Sequence, residues 1–340
     1  MDAQLLESTL ADLDQPAYRA GQVWEWAARG VAGYDEMTNL PAPLRDELAE
    51  RVPFSTLELI DQAESRDGTI KALFHTPDGR PVEAVMMRYR DGRRSICVSS
   101  QSGCPLTCTF CATGTMAFGR NLTASEILDQ VLHFRRIEPV DHLVFMGMGE
   151  PMMNLDNVLE SCEKLPDIGI TNRRTTVSTV GWLPGIEQFN RQPRPIRLAL
   201  SLHAADPELR SQIMEVNDRY PLEDVLEACR THYRENNRKV FIEYVMLAGV
   251  NDHTKHARQL AKALTPHGAF KVNLIPYNPT GTGYEGSGRT TIGRFRDILQ
   301  SSGVPATVRL TRGQDIAAAC GQLVADAAQK VAVAESDPVA

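Results

Sequence analysis

Short apolar runs alternate with amphipathic segments over most of the chain from residue 95 onward. The predicted strands read SICVS, HLVFMGM, TTVSTVG, IRLALSLH, VFIEYVML, FKVNLIPYN and a last ATVRL. The helices predicted between them read TASEILDQVLHFRRI, LDNVLESCEKL, PELRSQIMEV, LEDVLEACRTHYREN, HTKHARQLAKAL and TIGRFRDILQSSG. This alternation predicts parallel strands joined by crossover helices. Six such units predict an α/β fold, a partial (β/α)6 barrel similar to a TIM barrel, with reactive residues on the rim where the strands end.

The pattern before residue 95 is different and predicts two smaller regions. In YRAGQVWEWAARG the apolar residues Val23, Trp24 and Ala27 have helical spacing, and Gly30 ends the helix. The later runs TIKALFH, PVEAVMMRY and RRSICVSS are separated by TPDGR and RDGR, whose Asp-Gly pairs favour hairpins. We therefore expect an N-terminal helical domain over 1–60, a β extension over 61–94, the barrel over 95–325 and a flexible tail over 326–340.

Composition and charge restrict the class of protein. No run approaches the roughly 18 apolar residues of a membrane span, and the acidic start lacks the features of a secretory signal. We expect a cytoplasmic monomer with no membrane partner. The net charge of −7 is uneven, because residues 1–50 hold ten acidic and three basic residues. The remaining chain is close to neutral, so local arginine clusters are available for a nucleic acid.

Three of the seven cysteines lie close together in CPLTCTFC, as Cys104, Cys108 and Cys111. An odd number of cysteines without a secretory signal argues against a disulfide framework and for metal or redox chemistry. Cys162 and Cys229 lie in helical patterns, where a lone cysteine is usually a small buried hydrophobe. Three thiolates suit a [4Fe–4S] cluster in which one iron keeps an open position. The alternative is a zinc site completed by Cys97 or a histidine.

The motif CPLTCTFCATG after a barrel strand resembles the radical S-adenosylmethionine superfamily. The flanking motifs, in chain order, are CVSSQSGC, RNLTASEI, MGMGEP, LSLHA, VNDRYP, IEYVMLAGVND, NLIPYNP and TRGQDIAAACGQL. Together they resemble the RlmN family, which methylates carbon 2 of adenine in 23S ribosomal RNA and in transfer RNA. The resemblance implies a [4Fe–4S] cluster and S-adenosylmethionine as cofactors. It also implies an electron donor such as flavodoxin or ferredoxin.

The resemblance implies roles for three further residues. Cys320 would accept a methyl group from one S-adenosylmethionine, and a radical from a second would activate that methyl group for addition to adenine. Cys97 would then attack the Cys320 sulfur and release the product, leaving a disulfide to be reduced. Glu83 would accept the proton that leaves the adenine carbon. Each has a structural alternative: Cys97 could be a core cysteine, Cys320 a helix thiol, and Glu83 the exposed side of an edge strand.

The same resemblance implies a set of cofactor-binding residues at the predicted strand ends. These are Gly149, Glu150, Ser178, Ser201, Leu202, His203 and Asn278. Small residues such as Gly149 allow close backbone approach to a ligand. The carboxylate of Glu150 would accept the ammonium group of the cofactor.

RNA contacts have the weakest signal in the sequence. Arg88, Arg90, Arg93 and Arg94 cluster around a hairpin, and we expect that hairpin to position the RNA. An adenine that is already unstacked in a loop is the expected target, because a stacked base does not reach the cluster.

Two alternative functions remain open from the sequence. One is a sister enzyme of the Cfr group, which VNDRYP resembles and which methylates carbon 8 of adenine. The other is a non-enzymatic RNA-binding protein stabilised by zinc. The motifs IEYVML, NLIPYNP and TRGQDI favour the carbon-2 enzymes over the Cfr group.

Overall fold

A ten-stranded mixed sheet organises the computed structural model, which describes residues 1–265 and 268–323. The strands are β1 Glu58–Glu64, β2 Ile70–His75, β3 Pro81–Arg88, β4 Arg94–Val98, β5 Gln101–Ser102, β6 Arg120–Asn121, β7 His142–Phe145, β8 Thr175–Thr179, β9 Arg197–Ser201, β10 Val240–Met246, β11 Phe270–Pro276 and β12 Ala306–Val308. Their order in the large sheet is β1-β2-β3-β4-β7-β8-β9-β10-β11-β12, and β5 pairs with β6 separately. The predicted tail over 326–340 lies outside the described residues.

Helices connect and cover these strands. They are α1 Ala3–Asp12, α2 Tyr18–Arg29, α3 Ala42–Arg51, α4 Ala124–Ile137, α5 Leu155–Ile168, α6 Leu183–Asn190, α7 Pro207–Ile213, α8 Val216–Arg219, α9 Leu222–Asn236, α10 Thr254–Leu264 and α11 Arg289–Ser301. None of the helices in the described part of the chain has the length and apolarity of a membrane span.

The sheet changes from antiparallel to parallel at β4. Strands β1 to β4 pair antiparallel through hairpins, whereas β4, β7, β8, β9, β10, β11 and β12 pair parallel through crossovers. Every residue of β8 is buried, as expected for a strand covered on both faces. The predicted α/β fold is confirmed, and the β extension is continuous with the barrel sheet.

The N-terminal helices pack against the barrel helices. The Trp24 indole N–H donates to Asp167 Oδ2 at 2.7 Å, which links α2 to the end of α5. Helix α2 ends at Gly30, whose φ of +96° is left-handed. A Cβ at Gly30 would lie 2.9 Å from the carbonyl oxygen of Arg135 in α4, so only glycine permits this approach.

Some elements differ from the prediction. Strand β1 was not predicted, because nearly all of ELIDQAE is exposed and no apolar alternation marks it. Helix α6 was also missed, since Pro184 and Gly185 in LPGIEQFN read as a loop. The predicted helix PELRSQIMEV ends early, at Ile213 of α7, and its last residue, Val216, begins α8.

A buried glutamine fixes Ser99, the residue that follows β4 and precedes β5 and the cysteine loop. Gln130 of α4 is fully buried; its Oε1 accepts from Ser99 N at 2.8 Å and its Nε2 donates to Ser99 O at 3.0 Å. The side chain thereby satisfies both backbone groups of a residue that is itself fully buried.

Replacing Gln130 with alanine should lower the free energy of unfolding by about 3 kcal/mol, because two buried backbone groups lose their partner. Urea denaturation of the full chain measures this change. The matched control is Gln188→Ala, whose exposed side chain donates to Asp156 Oδ1, and we expect a change within about 0.5 kcal/mol. Equal losses in the two variants would contradict the role of Gln130.

Candidate active site

The carboxyl ends of the parallel strands surround a cavity with an empty volume, including its open mouth, of about 1020 Å³. We call it the cluster cavity, because the three closely spaced cysteines line it. Nine of the predicted site residues line it: Cys104, Cys108, Cys111, Gly149, Glu150, Ser178, Ser201, His203 and Cys320. Residues predicted from five separate segments of sequence therefore lie together, as the rim of a partial barrel requires.

The three cysteines lie in the loop between β5 and β6. The loop is tight: Cys111 N donates to Cys108 O at 3.1 Å, and a Cβ at Gly114 would lie 2.8 Å from that same oxygen. Burial raises the pKa of Cys104 to about 12 and that of Cys108 well above its ordinary value. Without a metal, these buried thiols stay protonated at neutral pH. A bound metal ion deprotonates a coordinating thiol, because its positive charge stabilises the thiolate.

The arrangement fits a cubane cluster. No group of three or more His, Cys, Asp or Glu side chains in residues 1–265 and 268–323 is arranged around one metal ion. In a [4Fe–4S] cluster each cysteine binds a different iron, so the thiols need to face one cavity rather than one point. Cys104, Cys108 and Cys111 satisfy that condition.

Glu150 links the segments that follow β7 and β8, because it follows β7 and its side chain accepts from a backbone N–H that follows β8. It is 2% exposed; its Oε1 accepts from Met152 N at 3.0 Å and its Oε2 from Val180 N at 2.9 Å. Gly149 has a φ of +93°, and a Cβ there would lie 2.5 Å from Gln101 Cβ, so glycine is required. Burial raises the pKa of Glu150 to about 7, despite these hydrogen bonds. A ligand ammonium beside it would favour the ionised form.

Three further polar residues line the cluster cavity: Ser178, Ser201 and His203. The Oγ atoms of the two serines are 3.4 Å apart across β8 and β9. The backbone of His203 is left-handed, with a φ of +58°, and its Nδ1 accepts from Val245 N at 3.0 Å. Burial lowers the pKa of His203 to about 3, so the ring is neutral. Leu202 is fully buried and is not among the lining residues.

A second, smaller cavity of about 510 Å³ adjoins the first, and we call it the thiol cavity. Cys97 and Cys320 both line it, and Cys320 also lines the cluster cavity. Cys320 has an exposed surface, which faces these two spaces. Asn278 lines the thiol cavity instead of the cluster cavity, and its Nδ2 donates to Cys320 O at 3.2 Å. The structure thus brings Asn278 to the backbone of Cys320 rather than to the cluster cavity.

Arg309 is a functional candidate that the sequence analysis missed. It lines the thiol cavity with both cysteines, and its Nη1 donates to Met146 Sδ at 3.5 Å. Desolvation by the surrounding protein raises the pKa of Cys320, and the Arg309 charge opposes that rise. Burial likewise raises the pKa of Cys97 to about 12, again opposed by Arg309. In sequence, Arg309 is one polar residue in ATVRL, and only the fold places it beside two thiols.

Glu243 is a second residue that the sequence analysis missed. It lies on β10, is 4% exposed and lines the cluster cavity. Its Oε1 accepts from Asn273 Nδ2 at 2.9 Å, while Oε2 has no hydrogen-bond partner among the described residues. Burial raises its pKa. The available signal was a carboxylate inside the apolar run VFIEYVML.

Glu83 lies on β3 in the interior of the sheet and is fully buried, so the alternative of an exposed edge position is wrong. Its Oε1 is 3.2 Å from Lys71 Nζ, which also donates to Ala317 O at 3.1 Å. Val85 pairs with Cys97, and strand alternation places Glu83 on the same face of β3 as Val85. Glu83 lines neither cavity. It contacts, through Lys71, the segment that carries Cys320.

The arginines of the β3–β4 hairpin do not act as one cluster. Arg88 and Arg94 both form ion pairs with Glu138, whereas Arg90 is exposed at the hairpin tip. Arg93 lies over the Tyr89 ring at 4.5 Å and pairs with Asp91. Arg88, Arg93 and Arg94 are thus each paired with a carboxylate, and the expected RNA contact of this hairpin narrows to Arg90.

Two family models match the chain. The radical SAM superfamily model matches residues 98–261, and the model of the ribosomal RNA large subunit methyltransferase N-terminal domain matches residues 1–53. The first contains β5 to β10 and the cysteine loop, and the second contains α1 to α3.

Curated relatives and a solved structure are similar over nearly the full chain. Probable dual-specificity RNA methyltransferases RlmN of Thermus thermophilus and Gemmatimonas aurantiaca are 43% and 47% identical; the alignments cover 94% of this chain and 92% and 89% of the relatives. The crystal structure of a radical SAM methyltransferase from Sphaerobacter thermophilus is 42% identical. It has a TM-score of 0.90 and covers 96% of this chain and 98% of that chain. This chain belongs to the RlmN family of radical SAM RNA methyltransferases.

Proposed function

We propose that this chain methylates carbon 2 of adenine in 23S ribosomal RNA and in transfer RNA, with Cys320 as the methyl carrier and Cys97 as the releasing thiol. One observation carries the proposal: Cys320 lines both the cluster cavity and the thiol cavity. A carrier must meet the methyl donor on one side and the second thiol on the other. Its position between the two spaces satisfies both requirements.

The proposed roles of the cluster-cavity residues follow from their chemistry. Cys104, Cys108 and Cys111 would hold the [4Fe–4S] cluster, and Glu150 would accept the ammonium group of S-adenosylmethionine. When bound, these two cofactors supply a transferable methyl group and, with an electron, a radical that activates it. The neutral His203 ring and the two serine hydroxyls offer hydrogen bonds without adding charge to the wall.

Cys320 has to lose its proton before its sulfur can accept a methyl group, because the thiolate is the nucleophile. The Arg309 guanidinium favours that thiolate from the thiol cavity. Asn278, which lines the thiol cavity with Arg309, donates to the Cys320 carbonyl and fixes the backbone that carries the sulfur. Arg309 and Asn278 are therefore positioning residues, since each acts through Cys320.

Release of the product is the proposed role of Cys97. Attack of the Cys97 thiolate on the Cys320 sulfur breaks the bond from that sulfur to the methylene carbon on the base. The carbon takes a proton and becomes the methyl group, and the two sulfurs form a disulfide, which a thiol reductant resets. Glu83 is the proposed acceptor of the adenine proton. Its carboxyl group lies 3.2 Å from Lys71 Nζ, and Lys71 also donates to Ala317 O in the segment that carries Cys320.

The relatives named above carry the RlmN name, so neither the Cfr-like activity nor the zinc-stabilised protein gains support from them. The electron donor is proposed to be a flavodoxin or ferredoxin. A monomer in the cytoplasm is the proposed working form.

Anaerobic turnover with ribosomal and transfer RNA, followed by mass spectrometry of the nucleosides, tests the proposed function. We expect 2-methyladenosine from the wild-type chain and none above background from Cys320→Ala, which lacks the carrier sulfur. The control Cys162→Ala removes a buried cysteine of α5 that lines neither cavity, and it should retain turnover. Formation of 8-methyladenosine, or free product from Cys320→Ala, would contradict the proposal.

The second thiol gives a different expected result in the same experiment. Cys97→Ala should accumulate a covalent adduct between the protein and RNA, because methyl transfer proceeds and release does not. Denaturing gel electrophoresis of labelled RNA detects this adduct. Loss of both product and adduct would remove Cys97 from the release step.

Removing the Arg309 charge should shift the ionisation of Cys320 to higher pH. The experiment uses full-length protein in which mass spectrometry shows Cys320 to be unmethylated. Arg309→Gln should slow the alkylation of Cys320 by iodoacetamide at pH 8 by about tenfold, because a nearby opposite charge shifts a pKa by about one unit. Arg309→Lys should restore most of the rate. Arg312→Gln is the matched control, because Arg312 lines the same cavity and its charge pairs with Asp67. Identical pH profiles for all variants would rule out the role of Arg309.

A further inference from the structure

Arg210 of α7 is a fully buried cation next to the cysteine loop. Its Nε donates to Leu202 O at 3.2 Å, its Nη1 to Asn217 Oδ1 at 2.9 Å and its Nη2 to Val180 O at 2.6 Å. All three acceptors are uncharged. No carboxylate in residues 1–265 or 268–323 forms an ion pair with it, although burying a cation without an anion is strongly unfavourable.

The charge on Arg210 persists at neutral pH. Burial lowers its pKa to about 10, while negative charge on Cys108 and Cys229 would raise it. Cys229 is itself fully buried, and burial raises its pKa to about 12, so it stays a neutral thiol. The carbonyl that Arg210 Nη2 contacts belongs to Val180, which lines the cluster cavity together with Cys108.

Helix α7, which carries Arg210, packs against the cysteine loop. Thr109, next to Cys108 in the loop, donates its backbone N–H to Ile213 O at the end of α7 at 3.1 Å. Ile213 and Cys108 belong to one apolar cluster, together with Val180. The guanidinium is fully buried, so its interaction with a charge held by the loop is screened less than an interaction between exposed groups.

We propose that Arg210 is the counterion of the iron–sulfur cluster and that its charge raises the reduction potential of that cluster. The inference rests on the proposed binding of the cluster by Cys104, Cys108 and Cys111. A cluster with three thiolate ligands becomes more negative on reduction, and a fixed cation stabilises the more negative state more strongly. The same guanidinium holds the carbonyls of Val180 and Leu202, which follow β8 and β9.

Two variants separate the charge of Arg210 from its hydrogen bonds. Arg210→Lys keeps a positive charge and loses most of the hydrogen bonds, whereas Arg210→Gln keeps amide donors and loses the charge. The matched control is Arg230→Gln. Arg230 of α9 pairs with Glu223 and Glu227 and lines neither cavity, so its loss should leave the cluster unchanged.

The test is a potentiometric titration of the cluster in the full-length, anaerobically reconstituted chain, followed by electron paramagnetic resonance, with iron content measured in parallel. Arg210→Gln should shift the midpoint to a more negative potential, and Arg210→Lys and Arg230→Gln should stay close to the wild type. A midpoint for Arg210→Gln equal to that of the wild type would overturn the inference.

Iron content decides the case in which a variant fails to assemble the cluster. Retention of iron by Arg210→Lys but not by Arg210→Gln would support the role of the charge. Loss of iron from both variants, with folding unchanged by circular dichroism, would show that the site needs the hydrogen bonds of Arg210 and not its charge. That result would contradict the inference. A wild-type chain that binds no cluster would instead overturn the proposed function, which keeps the two failures distinct.

Discussion

The position of Cys320 depends on hydrogen bonds that hold residues 317–323 against the strand ends. Ala112 N, directly after Cys111, donates to Gly321 O at 2.9 Å, and Thr113 Oγ1 donates to Leu323 O at 2.8 Å. From the opposite side, Lys71 Nζ donates to Ala317 O at 3.1 Å. The segment is therefore tied both to the cysteine loop and to the β extension. Cys320 lies between these attachments, and this is why one sulfur faces two cavities.

Ionisable groups that are partly or wholly buried are concentrated at this end of the sheet. Glu150 and Glu243 face the cluster cavity, Arg309 faces the thiol cavity, and Arg210 lies behind the cysteine loop. Such groups cost free energy in an apolar interior unless another charge or a ligand compensates them. Their shared location at the carboxyl ends of the strands is typical of a site in which stability is given up for chemistry.

Sequence reasoning succeeded where local pattern carries the information. The apolar runs predicted the parallel strands, and the cysteine spacing with its flanking motifs predicted the family. It failed where the information is three-dimensional. Strand β1 has no apolar alternation because it lies at the sheet edge with its side chains exposed. The charge of Arg88 is neutralised by Glu138, 50 residues away in sequence. No local pattern marks Arg210 or Arg309, because their partners belong to other elements.

The central claim is that three cysteines hold a cluster with one open iron, in the cavity that Cys320 lines. The electron paramagnetic resonance spectrum of the reduced enzyme, recorded before and after addition of S-adenosylmethionine, tests it most directly. The account predicts that saturating S-adenosylmethionine changes the g-values of the cluster, because the cofactor would occupy the open iron position. An iron–sulfur spectrum that stays the same when S-adenosylmethionine is bound would contradict the account.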